Sequence, residues 1–313
     1  MKGKRCDILE KPCVSIIVPV LNGANHINNL MNSLMNINYP KNKYEILIVD
    51  NESMDKTVEL IKKFQRNIPQ LKLFFEKRRS SYAARNMGVM NAKGEIIVFT
   101  DADCVVDKNW LINIVKSFSE NSVGCVAGEI LSAKWNNIVE EYYAKKDIMS
   151  QKNTLNSEFL PYPMTANVAY RKEIFNKIGY FDEELISGGD ADFAWRMQLE
   201  TEYKIVYDQN AIVIHKHRSN MKSLFKQQFS YGYGSVLLYR KHNYFMDFNL
   251  KNILMDYLKL MLAFALFYFR LFARLFWDCD RYCLYEPLLA FLCISGYRLG
   301  RLYGSIKLKK LFI

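Results

Sequence analysis

Paired cysteine is missing from this chain. The seven cysteines, Cys6, Cys13, Cys104, Cys125, Cys279, Cys283 and Cys293, are odd in number and scattered, with no CxxC pair and no histidine at zinc-finger spacing. That excludes a disulfide framework and predicts free thiols in a reducing compartment. Histidine is scarce, at four residues. No internal repeat or low-complexity tract occurs, so solenoids and disordered linkers are not indicated. The charged start Met1-Lys2-Gly3-Lys4-Arg5 is followed by Asp7, Glu10 and Lys11 before any apolar run. A signal-peptide core is therefore not seen, and the first 200 residues are expected in the cytoplasm. Within the apolar stretch 253–277 the longest uncharged run, 260–269, has ten residues, short of the roughly 20 that a spanning helix needs.

What is present begins with charge. The net charge of +11 is not shared along the chain: residues 1–202 hold 26 Lys+Arg and 26 Asp+Glu, whereas 203–313 hold 17 and 6. A basic last third points to an anionic partner, a membrane leaflet or nucleic acid. Nucleic acid fits poorly, because the aromatics of the tail stand with aliphatics in long apolar runs instead of interleaving with basic residues.

Short apolar runs alternate with helical patterns over the first half. Residues 14–19, 44–49, 71–75 and 95–100 read as buried strands, and Ile27, Leu30, Met31 and Leu34 mark the first of the intervening helices, followed by others over 55–64 and 81–92. Apolar strands of this kind predict an α/β fold, a mostly parallel sheet covered by helices. Polar residues then gather at strand ends: Pro19 and Asn22, Asp50, and Asp101-Ala102-Asp103. In extended chain Asp101 and Asp103 project to one side, at the sheet edge where open α/β folds place ligands. Paired carboxylates there suit a hard divalent cation that also holds phosphate; they also suit loop capping before a helix over 108–119. Beyond a strand at 123–130 the pattern predicts one polar helix over 134–152, a strand at 165–170, a flexible turn at 187–190, a helix at 191–200 and two short strands, 205–207 and 211–215.

Five ordered stretches resemble family-2 inverting glycosyltransferases: Val14-Ser15-Ile16-Ile17-Val18-Pro19-Val20-Leu21-Asn22, Ile48-Val49-Asp50-Asn51-Glu52-Ser53-Met54-Asp55, Ala84-Arg85-Asn86-Met87-Gly88, Asp101-Ala102-Asp103 and Gly189-Asp190-Ala191-Asp192. The resemblance implies the GT-A fold, a nucleotide-diphospho-sugar donor and a divalent cation, Mn or Mg. Carried over by position, it implies that Pro19, Asn22 and Asp50 line the nucleoside pocket, that Arg85 and Asp101 contact the donor, that Asp103 binds the metal with Asp101 sharing it, and that Asp190 is the base. A helix N-terminus at Asp190 favours its ionised form and also makes it an N-cap candidate. Gly189, Asp192, Trp195 and Arg196 are the implied acceptor contacts, although a lone tryptophan at helical spacing also suits a core. His215, which ends a strand, is a candidate third metal ligand or a surface imidazole. The chain departs from the family pattern at Leu21, Gly23 and Asn51, which bears on donor-base preference, and at Gly189, where the family has an acidic residue.

The organisation expected is a GT-A domain over 1–218, with a donor half to about 130 and an acceptor half after it, a connecting helix over 219–250 and a membrane-associated helical region over 251–313. Gln227 and Gln228, before Tyr231-Gly232-Tyr233-Gly234, loosely resemble a segment beside the acceptor channel of processive relatives, without its tryptophan. In the tail, Asp256, Lys259, Arg270 and Arg274 fall within a helical stripe about 80° wide, which predicts a helix lying in a membrane interface with its basic stems reaching headgroups. Gly296, Gly300 and Gly304 predict the close approach of another helix. A re-entrant hairpin, tilted spans, interfacial helices and a soluble helical subdomain or dimer interface all remain open for this region. The function expected is transfer of a sugar to a glycan or lipid-linked acceptor at the cytoplasmic face of the cell membrane, in cell-envelope polysaccharide or glycoconjugate synthesis. The alternatives are a polyprenyl-phosphate sugar transferase of the same fold and a non-catalytic membrane-binding scaffold.

Overall fold

The computed structural model describes residues 11–242, 250–276 and 280–309. Cys6, Cys279, the charged start, 243–249 of the expected connecting helix, Trp277 and residues 310–313 lie outside the described residues. The chain runs β1 (Val14–Val20), α1 (Ala24–Met35), β2 (Tyr44–Asp50), α2 (Thr57–Gln65), β3 (Leu71–Phe75), α3 (Ser81–Asn91), β4 (Ile96–Thr100), β5 (Cys104–Val106), α4 (Trp110–Ser117) and β6 (Val123–Ser132). It continues with α5 (Ile138–Lys145), α6 (Gln151–Leu155), β7 (Asn167–Arg171), α7 (Lys172–Ile178), α8 (Gly189–Glu200) and β8 (Lys204–His215). Three long helices follow: α9 (Met221–Lys241), α10 (Leu250–Ala273) and α11 (Arg281–Lys307).

The strands form one sheet in the order β3-β2-β1-β4-β7-β6-β8-β5. β1 pairs in parallel with β2 and β4, and β2 with β3. β1 shows why: Ile16 and Val18 join the core on one face with α1, α2 and α4, while Ile17 joins the core on the other with α3, α7 and α8. A strand buried on both faces must be apolar throughout, and each such side chain contributes about 1.5–3 kcal/mol.

The second half of the sheet departs from the simple alternation. β7 lies antiparallel between β4 and β6, and β5, too short to register as a run, pairs antiparallel with β8. The two short strands expected at 205–207 and 211–215 are one continuous β8, whose register against β6 slips between Gly128 and Glu129, so that the residues between the expected strands form a bulge. The helix expected over 134–152 is two, each opened by its own cap: the Asn137 side chain accepts from Val139 and Glu140 N–H groups, and the Ser150 hydroxyl accepts from Asn153 N–H.

α9 and α11 cross at glycines. A Cβ on Gly232 or Gly300 would overlap a backbone carbonyl of the opposite helix, and one on Gly296 would sit 2.9 Å from Phe225 O. The small-residue stripe of α11 therefore receives α9. α10 packs on α11, and two of the four charges of its stripe are taken up there: Asp256 pairs with Arg298, and Arg270 pairs with Glu286 at 3.3 Å, whereas Lys259 pairs with Asp256 within α10 and Arg274 is exposed. Leu258, Met261, Leu262, Phe269 and Phe272 stand exposed on α10. Among the described residues no helix is long and apolar enough to cross a membrane.

Candidate active site

A cleft of about 1260 Å³ opens where the carboxyl ends of β1, β2 and β4 meet α8 and α9. Pro19, Asn22, Arg85, Asp101, Asp103, Asp190 and His215 all line it. Asn22 has a positive φ of 52°, which asparagine tolerates better than most residues. Its backbone N–H donates to Ser53 Oγ and its side-chain oxygen accepts from Met54 N–H, both at 2.8 Å, so it clamps the loops after β1 and β2 together. Asp50 is buried behind this rim. One oxygen accepts from Ser53 N–H at 3.0 Å and the other has no partner; Asn51, not Asp50, reaches the cleft lining. Asn51 donates through Nδ2 to the carbonyls of Glu76 and Arg78. An aspartate there has no hydrogen to give, which accounts for the amide where the family has a second acid.

The two aspartates of the Asp101-Ala102-Asp103 stretch are in different surroundings. Asp101 accepts a 2.6 Å ion-paired bond from Arg85, itself buried. Asp103 keeps a buried Oδ1 with no hydrogen bond, 3.4 Å from His215 Nε2. The sheet makes this meeting: Cys104 of β5 is paired with His215 of β8, and Lys216 N–H donates to Asp103 O at 3.0 Å. His215 Nδ1 lies 3.3 Å from His217 Nδ1, and His217 Nε2 lies 2.7 Å from Ser132 Oγ. Burial and the adjacent His215 hold His217 down to about 4. Tyr143 stacks on His217 with ring centroids 5.1 Å apart and is hydrogen-bonded to Gln227.

Among the described residues no group of three or more His, Cys, Asp or Glu is arranged around a metal. Asp103 and His215 alone fit a cation: a buried carboxylate oxygen without a donor is costly, and two protein ligands leave coordination positions for phosphate and water, as Mg²⁺ commonly requires. Arg85 already engages Asp101, so the expected sharing of the cation by Asp101 finds less support than Asp103 with His215.

Asp190 stands in the first turn of α8, half-buried, with Oδ1 accepting from Ala191 N–H at 3.1 Å. Burial raises its pKa above the ordinary 3.8, against the pull of Arg85. Gly188 before it adopts φ 81°, the left-handed conformation glycine accepts most readily. Gly189 donates its N–H to the Tyr82 hydroxyl at 2.8 Å, and a Cβ there would lie 2.6 Å from the Tyr82 ring. Tyr82 thus fills the space in which the family's acidic side chain would begin.

Three expected acceptor contacts are corrected: Gly189, packed against the Tyr82 ring, does not line the cleft, and two others lie off it. Asp192 is fully buried and pairs with Arg196 at 3.0 Å and with Lys241 and His242 at 2.9 Å; Arg196 also donates to the carbonyls of Ile178 and Tyr180. Neither lines the cleft. Together they tie α8 to α9 and to the loop before it. Trp195 touches the cleft from beneath: it is 2 % exposed, and its indole N–H donates to Leu160 O at 2.8 Å. It therefore holds the 159–162 loop whose Phe159 and Tyr162 line the site. The α9 side is formed by Gln227 and Gln228, as the loose resemblance implied, with Arg218, Lys226, Tyr231 and Tyr239, and α11 adds Tyr297. Tyr231 belongs to the stretch already singled out, whereas Tyr239 and Tyr297 carry no local motif and sequence spacing gave no signal for them.

Residues 15–179 match the glycosyl transferase family 2 model. The chain is 33% identical over 227 residues to glycosyltransferase AglE of Haloferax volcanii, covering 72% of this chain and 73% of the relative. It is 29% identical over 251 residues, 73% of this chain and 74% of the relative, to the dolichyl N-acetyl-alpha-D-glucosaminyl phosphate 3-beta-D-2,3-diacetamido-2,3-dideoxy-beta-D-glucuronosyltransferase of Methanococcus voltae. Among solved structures, mannosyltransferase PcManGT from Pyrobaculum calidifontis in complex with GDP-Man and Mn2+ superposes with a TM-score of 0.64 at 19% identity, covering 96% of this chain and 88% of that one. S. aureus TarS 1-349 in complex with UDP-GlcNAc superposes with a TM-score of 0.53 at 19% identity, covering 96% and 93%. The sheet order, the carboxylate-lined cleft and a relative one-third identical across most of both lengths agree, and the chain belongs to glycosyl transferase family 2, a glycosyltransferase of the GT-A fold.

Proposed function

We propose that the protein transfers a sugar, with inversion, from a nucleotide-diphospho-sugar to a lipid-linked or glycan acceptor at the cytoplasmic face of the cell membrane. The observation that carries this reading is the convergence of Asp190 with Arg85, Asp101 and Asp103 on one cleft. In the proposed step Asp190 accepts the proton of the acceptor hydroxyl, the freed oxygen pair bonds to the anomeric carbon from one face, and the bond to the donor diphosphate breaks on the other. A divalent cation on Asp103 and His215 would supply positive charge to the leaving diphosphate. Arg85 holds Asp101 in place and offsets its charge, and Pro19 and Asn22 frame the nucleoside end. The name of the Methanococcus voltae relative supports a lipid-linked acceptor. The exposed apolar face of α10 and the basic last third support a membrane partner. The thiols Cys13, Cys104, Cys125, Cys283 and Cys293 are unpaired, which supports a reducing compartment.

The test is to incubate the purified protein with Mn²⁺ and a panel of nucleotide sugars and to measure donor binding and nucleotide release. Binding of at least one donor, with release stimulated by a lipid extract, is expected; failure of every donor to bind overturns the reading.

A further inference from the structure

His215 has two ring nitrogens and two neighbours. Its Nε2 lies 3.4 Å from Asp103 Oδ1 and its Nδ1 lies 3.3 Å from Nδ1 of His217. A single hydrogen must lie between the two Nδ1 atoms, since two hydrogens or two lone pairs facing each other repel. The pair therefore has two proton orders. In one, His215 donates from Nδ1 to His217, whose own Nε2–H donates to Ser132 Oγ, and the Nε2 of His215 carries a free lone pair beside Asp103. In the other, His217 donates from Nδ1, the Ser132 hydroxyl donates to its Nε2, and His215 turns an N–H toward Asp103. Only the first order presents a ligand to a cation. Each order contains two neutral imidazoles and one hydroxyl, so the two differ in proton placement and not in charge.

We propose that His217 is a positioning residue that selects the tautomer of His215, so that His215 and Asp103 together present a metal-binding edge. Three contacts prepare His217 for this: Ser132 Oγ lies 2.7 Å from its Nε2, within reach to accept the hydrogen there, Tyr143 stacks flat on its ring, and Tyr143 is fixed by its hydrogen bond to Gln227 of α9. The orientation of His215 is thereby set by β6, α5 and α9 at once. Outer partners that fix a ligating imidazole commonly account for a 10-fold to 100-fold change in metal affinity. His217 touches neither donor nor acceptor in this role, because it does not line the cleft. The inference rests on the cation part of the proposed function.

The experiment uses the full chain with Mn²⁺ and inorganic pyrophosphate, reading Mn²⁺ affinity by titration and directly bound nitrogen by pulsed electron paramagnetic resonance. Wild type is expected to bind Mn²⁺ with a nitrogen coupling that His215→Ala abolishes. His217→Phe keeps the stacked ring but has no nitrogen to accept the His215 hydrogen; it is expected to weaken Mn²⁺ about 10-fold to 100-fold and to lose the coupling. His217→Asn places an amide oxygen near the lost Nδ1 and is expected to restore both affinity and coupling. Unchanged binding in His217→Phe, or equal loss in Phe and Asn variants of native circular dichroism, overturns the inference. Bound Mn²⁺ without nitrogen coupling in wild type overturns it too, while leaving a cation on Asp103. No bound Mn²⁺ at all overturns it together with the cation part of the proposed function, and donor binding without metal then decides what remains of that function.

Discussion

At the residue scale, Asp190 joins a catalytic demand to a stability cost. Its carboxyl titrates above the ordinary 3.8 because it is desolvated in the folded chain, so above the unfolded value the folded state holds its charge at a disadvantage. That penalty is absent below the unfolded pKa and fully present above the folded one. Asp190→Asn removes it, and the variant is expected to unfold at a higher temperature than wild type at pH 7 by calorimetry. The same substitution is expected to lower kcat about 10²-fold to 10⁴-fold, the usual range for a general base, with donor affinity kept. In wild type the acid limb of kcat/KM is expected above pH 3.8, and its disappearance in the variant's residual activity is the check. Asp192, two residues on, behaves oppositely. It is buried among Arg196, Lys241 and His242, and Asp192→Ala removes the carboxylate that all three share, leaving Lys241 with Asp182 alone. A loss of about 3 kcal/mol in denaturant unfolding is expected, with donor affinity unchanged at temperatures where the variant is folded. Both aspartates follow Gly188 and Gly189 in one motif, and the family resemblance implied a cleft role for both. What separates them is direction: α8 turns Asp190 toward the cleft and Asp192 toward α9, whose Lys241 lies 49 positions away in sequence.

At the element scale, the strand ends that hold Asn22 and Asp101-Ala102-Asp103 were legible because an apolar run followed by a polar residue is a local signal. His215 meeting Asp103 was only a candidate, since it depends on β5 pairing with β8 across more than 100 residues and on the bulge that lets β8 reach that far. The helical tail was half legible. Its glycines announced a close crossing, but its charges were assigned to lipid headgroups, whereas α11 takes two of them, Asp256 and Arg270. Pro287 explains one of those contacts. It has no N–H for the carbonyl four residues earlier, and that carbonyl, Cys283 O, instead accepts from Arg270 of α10 at 2.6 Å. The α9–α11 crossing is tested by Gly300→Ala. A methyl group there overlaps the Phe229 carbonyl, and backbone cannot swing aside as a side chain can. A loss of about 1–3 kcal/mol in stability is expected, whereas Leu302→Ala, on an exposed position of the same helix, is expected to change stability by less than about 0.5 kcal/mol.

At the scale of the whole molecule, α11 connects two surfaces. Through Tyr297 it reaches the cleft, and through Arg298 and Glu286 it holds α10. α10 in turn presents a continuous apolar face, with Leu258, Met261, Phe269 and Phe272 about half to two-thirds exposed. Leaving that half-exposed face in water forgoes about 1 kcal/mol for each side chain, a cost that a lipid surface would remove, and the ion pairs on the inner side of α10 keep the apolar side turned outward. Replacing Leu258, Met261, Phe269 and Phe272 together by glutamate leaves the α10–α11 ion pairs intact and adds four negative charges to the face. Wild type is expected to float with liposomes containing anionic lipid and the variant to remain in the dense fraction, with donor binding in solution equal for both. Equal flotation of the two would remove α10 as the membrane face. A wild-type chain that stays dense and sediments as a dimer, when the variant sediments as a monomer, would assign the same face to a second copy of the chain.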